Sequence, residues 1–165
     1  MRLTRNQRRA LFFAWLPAAI GVLVICLESS DYLSAANTRE FLQHLGSWFG
    51  ISHPNLNSDN HILRKMGHFL GYGTLSLLFY RGRSRTGQIL SRRPLLVLDV
   101  AFAFVCTLVV SSADEYHQSF LPSRTGKPQD VLLDMAGAAV LLFLLQLWLW
   151  RRRRVRLSEA LEGLS

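Results

Sequence analysis

The residues of this chain that could do chemistry are concentrated in one segment, residues 111–137, with the sequence SSADEYHQSFLPSRTGKPQDVLLDMAG. This segment places acids, a histidine, a glutamine and an arginine between two of the longest apolar stretches of the chain. An ionisable side chain at the centre of a bilayer costs roughly 2.5–3.5 kcal/mol on insertion scales, so several of them together indicate a use. The segment therefore predicts a functional site at membrane depth.

Three groups of polar residues repeat at intervals of three, four or seven positions, the spacing that puts side chains on one face of a helix. We expect each group to form a polar stripe on one helix. The three stripes should meet in one pocket, because lipid-facing placement would leave their charges unpaired. The groups are Lys65, His68 and Tyr72; Asp114, His117 and Gln118; and Asp130, Asp134 and Gly137.

These residue types are suited to acting on a phosphate group. An imidazole, His117 or His68, would serve as general base or nucleophile, and a neighbouring carboxylate, Asp114 or Glu115, would orient it. Cations would hold the phosphoryl oxygens, and arginine has the planar fork that fits two of them. The predicted substrate-binding residues are Lys65, Tyr72, Gln118, Arg124, Asp130 and Asp134.

Simpler interpretations of the same residues stay open. Lys65 could extend to the membrane interface, and Asp130 could cap the helix that follows it. A divalent metal would find acceptable ligands among the histidines and acids of the stripes, but no two histidines have the i, i+4 spacing of a helical zinc motif. The sequence therefore implies no cofactor firmly and leaves a divalent metal as an open alternative.

The composition indicates a small membrane protein. Half of the 165 residues are hydrophobic, although the chain carries 19 lysines and arginines and a net charge of +8. Fourteen of these basic residues fall in three clusters, each beside an apolar block: 2–9, 81–93 and 151–156. Clusters in such positions orient membrane helices, whereas a nucleic-acid-binding protein gathers its charge into one patch. We therefore expect no nucleic-acid partner.

Four apolar blocks predict an all-α fold, a bundle of four transmembrane helices. The blocks are residues 11–27, 66–80, 95–112 and 131–150. The second block is short for a helix that must cross a hydrocarbon core of about 30 Å. In the loop between the first two blocks, residues 38–50 carry hydrophobic side chains at helical spacing and predict an amphipathic helix, which would lie on the membrane surface or pack on the four-helix bundle.

The basic clusters also predict an orientation. Both termini and the 81–94 connection are the most basic segments outside the apolar blocks, so we expect them in the cytoplasm. The polar stripes then face the periplasm or the cell exterior.

Two motifs resemble those of the VanZ-like family: KMGHFLGYGTL at 65–75, and DEYHQSFLPSR followed by two aspartates and a glycine within 114–137. The family is named for a protein that lowers bacterial sensitivity to teicoplanin. The resemblance implies a VanZ-like membrane domain over residues 10–150 in the bacterial cytoplasmic membrane, with basic cytoplasmic tails at 1–9 and 151–165. Ser123 stands where the family often has glycine, and Asp134 where asparagine is common.

The resemblance implies no assigned reaction, so two functions remain. The first is a hydrolase or transferase that acts on a phosphate-containing lipid head group or a polyprenyl-linked cell-envelope intermediate. The second is a non-enzymatic protein that binds or shields an envelope lipid or the target of a glycopeptide antibiotic. In both, the expected partners are membrane lipids or the lipid-linked intermediate itself. The sequence does not indicate an oligomeric state.

Overall fold

The computed structural model describes residues 3–29, 56–90, 96–121 and 126–162. Within these ranges the chain forms four helices, which we number in chain order, and no strand. Both the all-α class and the count of four helices are confirmed for the described residues. The amphipathic helix predicted at 38–50 lies outside them. The helices are α1 (Arg5–Glu28), α2 (Leu56–Ile89), α3 (Leu96–Gln118) and α4 (Pro128–Glu162).

The ends of the helices follow local sequence signals. α1 begins with a capping box, in which Thr4 and Gln7 satisfy each other's backbone N–H groups. It closes where the Ser29 N–H donates to the Ile25 carbonyl at 2.8 Å. α4 begins with a proline, Pro128, which suits the first helical position because its missing N–H would have no partner there.

Helix α2 lies at the centre of the bundle and packs against α1, α3 and α4. Its buried residues, including Tyr72 and Leu75, join Ala103 of α3 and Leu142 of α4 in one hydrophobic core. The apolar side chains on the outer faces of the other helices, such as Val97 and Phe143, are exposed, as expected for surfaces that meet lipid.

Glycines allow α2 and α4 to approach closely beside the polar stripes. A Cβ atom on Gly137 would collide with the backbone carbonyl of Phe69 in α2. A Cβ on Gly73 would lie 3.0 Å from the Gly137 carbonyl oxygen. These contacts fix the separation of the two helices one turn from the candidate site.

Of the four helices in the described residues, three are long and apolar enough to cross a membrane by length and composition: α1, α3 from Val97, and α4. α2 does not meet that criterion, in keeping with the short second block, so its role as a fourth span stays a prediction. α2 is less apolar than the other helices because it carries the polar stripe of Lys65, His68 and Tyr72 along its first half.

Two segments predicted to lie outside the apolar helices, the 81–94 connection and the start of the 151–165 tail, contain helix. α2 continues through the arginines of 81–85 to Ile89, and α4 continues through 151–156 to Glu162. Arginine is a good helix former, so a basic cluster at the end of an apolar helix can extend it. At this basic end of the bundle, the Trp15 indole donates to Thr86 Oγ1 at 2.9 Å. The Asp99 carboxylate lies 3.3 Å from the Arg83 guanidinium.

Candidate functional site

The most deeply buried ionisable group of the site is Asp134, on the second turn of α4. Its side chain has no exposed surface, and each of its carboxylate oxygens has a partner. Oδ2 accepts a hydrogen bond from Ser111 Oγ of α3 at 2.7 Å, and Oδ1 lies 3.3 Å from Nδ1 of His68 in α2. Asp134 therefore joins three helices, and its partner, which the sequence did not indicate, is an imidazole.

Glu115 of α3 lies beside this pair. Its side chain is 5% exposed, and its Oε2 accepts a hydrogen bond from the Lys127 backbone N–H at 2.9 Å. Gly126 permits that bond, because a Cβ there would collide with the Glu115 carbonyl and push the connection away from α3. The other oxygen, Oε1, is buried and has no hydrogen-bond partner among the described residues.

These three side chains, which we call the His68 cluster (His68, Glu115 and Asp134), approach one another closely. One donor atom from each lies within 4.8 Å of the donor atoms of the other two. The cluster combines an imidazole with two carboxylates at the point where α2, α3 and α4 meet.

Asp114 forms a second polar contact between α2 and α3. Its Oδ2 accepts hydrogen bonds from the Tyr72 hydroxyl and from Nε2 of Gln118, both at 2.8 Å. Tyr72 is 2% exposed, so water cannot easily replace this bond. The contact ties the middle of α2 to the C-terminal end of α3.

A cavity of about 570 Å³ opens beside the His68 cluster. Three cationic residues contribute to its wall: Arg64 and Lys65 from α2, and Lys127 from the connection before α4. His68 also lines it, so the imidazole links the cavity to the buried acid Asp134. The remaining lining residues are Gln118, Gln129, Asp130 and Leu133.

The structure brings some predicted site residues together and separates others. Lys65, His68, Gln118 and Asp130 line the cavity, while His117 is exposed and its Nδ1 lies 3.4 Å from Ser29 Oγ of α1. Adjacent helical residues differ by about 100° of rotation, so Gln118 turns toward Asp114 while His117 turns toward α1. Arg124 lies outside the described residues.

Asp130 has a place in the helix as well as in the cavity. It stands in the first turn of α4, where its charge interacts favourably with the helix dipole. It is not the residue preceding the helix, since α4 begins at Pro128.

Several residues of the site were missed from the sequence. Ser111 stands one helical turn before Glu115 on α3, a spacing that could have placed it in the stripe. Arg64 was not among the predicted site residues, although the structure puts it in the cavity wall. Gln129 and Leu133 carry no sequence signal, because their position depends on how α4 packs against α2.

A family model described as VanZ/LLP1 matches residues 10–149. The chain belongs to the VanZ/LLP1 family. The match extends from the first turns of α1 to the last apolar turns of α4, so the His68 cluster and the cavity both lie within the VanZ/LLP1 region. No curated protein and no solved structure matches the chain significantly.

Membership of the VanZ/LLP1 family confirms the resemblance predicted from the two motifs. Together with the three long apolar helices, it indicates a membrane protein. The candidate site of this VanZ/LLP1 protein is thus a polar cluster between three helices, next to a cavity with a cationic wall.

Proposed function

We propose that this VanZ/LLP1 protein binds the phosphate of a lipid head group or of a polyprenyl-linked envelope intermediate in the cationic cavity and acts on it through the His68 cluster. The observation that carries the proposal is the wall of the cavity, which Arg64, Lys65 and Lys127 line together with His68. The class of ligand is inferred from the chemistry of the cavity wall, because the family match names no substrate.

A phosphate-bearing ligand fits the charge of this cavity. Among the described residues that line it, three are cationic and one, Asp130, is acidic. An arginine can bind two phosphoryl oxygens at once, and lysines add positive charge. The attraction between these cations and a phosphate is stronger in surroundings of low dielectric. The volume of about 570 Å³ lies within the range of small-molecule sites and holds a head group larger than phosphate alone.

The His68 cluster gives the cavity a chemical function beyond binding. An imidazole that contacts a buried carboxylate has a fixed orientation, as in sites where a histidine takes part in group transfer. Of the two histidines predicted to do chemistry, His68 has this arrangement, because His117 is turned toward α1. The reaction class is hydrolysis or transfer of the head group, with His68 taking part directly.

The charge distribution supports a position of the cavity on the outer side of a bacterial cytoplasmic membrane. The basic clusters 5–9, 81–85 and 151–156 belong to the opposite end of the bundle from the cavity. Basic segments favour the cytoplasmic side. The cavity would then meet the head groups of the outer leaflet.

The binding step is tested with purified protein in nanodiscs of phosphatidylcholine, titrated with a short-chain polyprenyl phosphate. Replacing both cavity lysines, Lys65→Gln with Lys127→Gln, should weaken binding on the order of 10- to 100-fold, at about 1 kcal/mol for each cation. Arg153→Gln, which removes an exposed cation at the other end, is the matched control and should leave the affinity unchanged. Equal loss in both variants would show that the membrane surface, and not the cavity, attracts the lipid.

The chemical step is followed in the same samples by ³¹P NMR of the head group. His68→Gln should remove head-group release while binding is largely retained. If the wild-type protein binds the lipid through the lysines and releases nothing over many hours, the enzymatic part is wrong and a binding or shielding protein remains.

A further inference from the structure

We propose that His68, Glu115 and Asp134 bind a divalent transition-metal ion, of the Mn²⁺ or Zn²⁺ class. The three residues come from three different helices, and one donor atom of each lies within 4.8 Å of the other two. This metal site is argued from the cluster alone. Only its part in head-group chemistry rests on the proposed function, in which His68 would then act as a metal ligand and not as a general base or nucleophile.

The geometry of the cluster is close to that of a coordination sphere. Ligand atoms about 2.1 Å from a tetrahedral metal lie about 3.4 Å apart. The separation of His68 Nδ1 and Asp134 Oδ1 is 3.3 Å, which already fits that value. Glu115 needs only a small side-chain adjustment, because no donor atom of the cluster is more than 4.8 Å from the others.

One oxygen of each carboxylate accepts a hydrogen bond from outside the cluster, and the other has no such donor among the described residues. Ser111 donates to Asp134 Oδ2, which leaves Oδ1 facing His68. The Lys127 N–H donates to Glu115 Oε2, which leaves Oε1 without a donor among the described residues. Metal-binding carboxylates are typically oriented in this way, by a donor on the oxygen that does not bind the ion.

The buried Glu115 Oε1 is the independent sign that something is bound here. Glu115 is only 5% exposed, and Oε1 has neither a hydrogen-bond partner among the described residues nor contact with solvent. Buried polar atoms are nearly always satisfied, and one without a partner calls for an explanation such as an ion. A metal ion would bind that oxygen.

The negative charge of the two buried carboxylates favours a cation with more than one positive charge. Glu115 and Asp134 are both buried, and neither forms an ion pair with a lysine or arginine side chain in the part of the chain that the structure describes. Buried carboxylates need a compensating charge. A dication would balance both, with His68 as its neutral ligand.

One nitrogen and two oxygen ligands select the class of metal. Imidazole favours zinc, manganese and iron over magnesium and calcium, and carboxylates are acceptable ligands to the same ions. Three protein ligands leave at least one coordination position free, as in catalytic metal sites. His68 also lines the cavity, so an ion held by the cluster would lie beside it and would polarise a phosphoryl oxygen that reached it.

Protonation offers the competing explanation of the same cluster. A protonated Glu115 and a charged His68 paired with Asp134 would satisfy the site without metal. The two explanations differ in a direct measurement of metal binding.

The experiment uses tag-free protein in detergent, stripped with a chelator and titrated with Mn²⁺ followed by EPR, and with Zn²⁺ followed by calorimetry. The wild-type protein should bind one ion and unfold at a higher temperature with metal than without it. Glu115→Gln and His68→Gln should each weaken binding at least about tenfold and lose the thermal shift. Glu159→Gln, the same change at an exposed carboxylate, should behave as the wild type.

Two results would overturn the metal site: no binding to the wild-type protein, or binding that Glu115→Gln and Glu159→Gln leave equally strong. Glu115→Gln keeps the shape of the side chain, and the unfolding curve of each variant without metal reports whether it has folded. Titration with the short-chain polyprenyl phosphate in chelator separates the two proposals. Lysine-dependent lipid binding without metal binding would remove the metal site and leave the proposed function. Metal binding without lysine-dependent lipid binding would remove the proposed function and leave the metal site.

Discussion

The hydrogen bond between Tyr72 and Asp114 should be a measurable part of the energy that holds α2 to α3. The hydroxyl donates to the carboxylate at 2.8 Å, and Tyr72 is 2% exposed, so Tyr72→Phe removes the donor without admitting water. A hydrogen bond to a charged group contributes about 1.5–3 kcal/mol in soluble proteins. Within membranes the average is nearer 0.6 kcal/mol with a maximum of about 1.7, because the unfolded chain also finds partners. Asp114 keeps its bond from Gln118, so we expect Tyr72→Phe to destabilise the protein by about 1 kcal/mol.

A double-mutant cycle isolates this bond. Equilibrium unfolding in mixed SDS micelles, followed by circular dichroism, gives the free energy of unfolding of Tyr72→Phe, Asp114→Ala and the double variant. We expect a coupling energy of about 1 kcal/mol. Tyr116→Phe is the matched control, since Tyr116 is exposed, and it should change stability by less than about 0.5 kcal/mol. A coupling energy below about 0.3 kcal/mol would refute the contact and the packing of α2 on α3 that it implies.

Three further perturbations test other parts of the structure. Gly137→Ala should destabilise the protein by about 1–3 kcal/mol, because the added methyl group meets the α2 backbone, and chemical unfolding with no loss of stability would contradict that close approach. Trp15→Phe removes the hydrogen bond to Thr86 at the basic end, so thermal unfolding should detect a loss of about 1 kcal/mol while lipid binding at the cavity keeps its affinity. In a cysteine-free background, a membrane-impermeant thiol reagent should label Gln129→Cys but not Ser158→Cys in intact cells, and the opposite pattern would reverse the proposed orientation.

The part of the fold that the sequence predicts is the part governed by local periodicity. The apolar blocks predicted the helices. The spacing of His68 and Tyr72 predicted one polar stripe, and the spacing of Asp130 and Asp134 predicted another. The helix ends were missed at Ile89 and Glu162, because one arginine run was interpreted as a connection and the other as a tail, although arginine favours helix.

The contacts between helices could not be predicted, since they depend on rotation and close approach. Residues at i+3 and i+4 lie on opposite sides of residue i, which is why Gln118 reaches Asp114 while His117 faces α1. Spacing alone could not separate the two. The partners of Asp134 were likewise hidden, because one lies on α2 and the other on α3.

The central claim, that the cavity holds the phosphate-bearing end of a lipid, is tested most directly by photo-crosslinking. A benzophenone amino acid is placed at Gln129, in the cavity wall, and in a second protein at Leu161, which is exposed near the end of α4. In vesicles that contain ³²P-labelled polyprenyl phosphate, irradiation should attach the label at position 129, and Lys65→Gln with Lys127→Gln should remove most of it, while position 161 stays unlabelled. Equal labelling at both positions, or labelling at 129 that persists without the two lysines, would contradict the account.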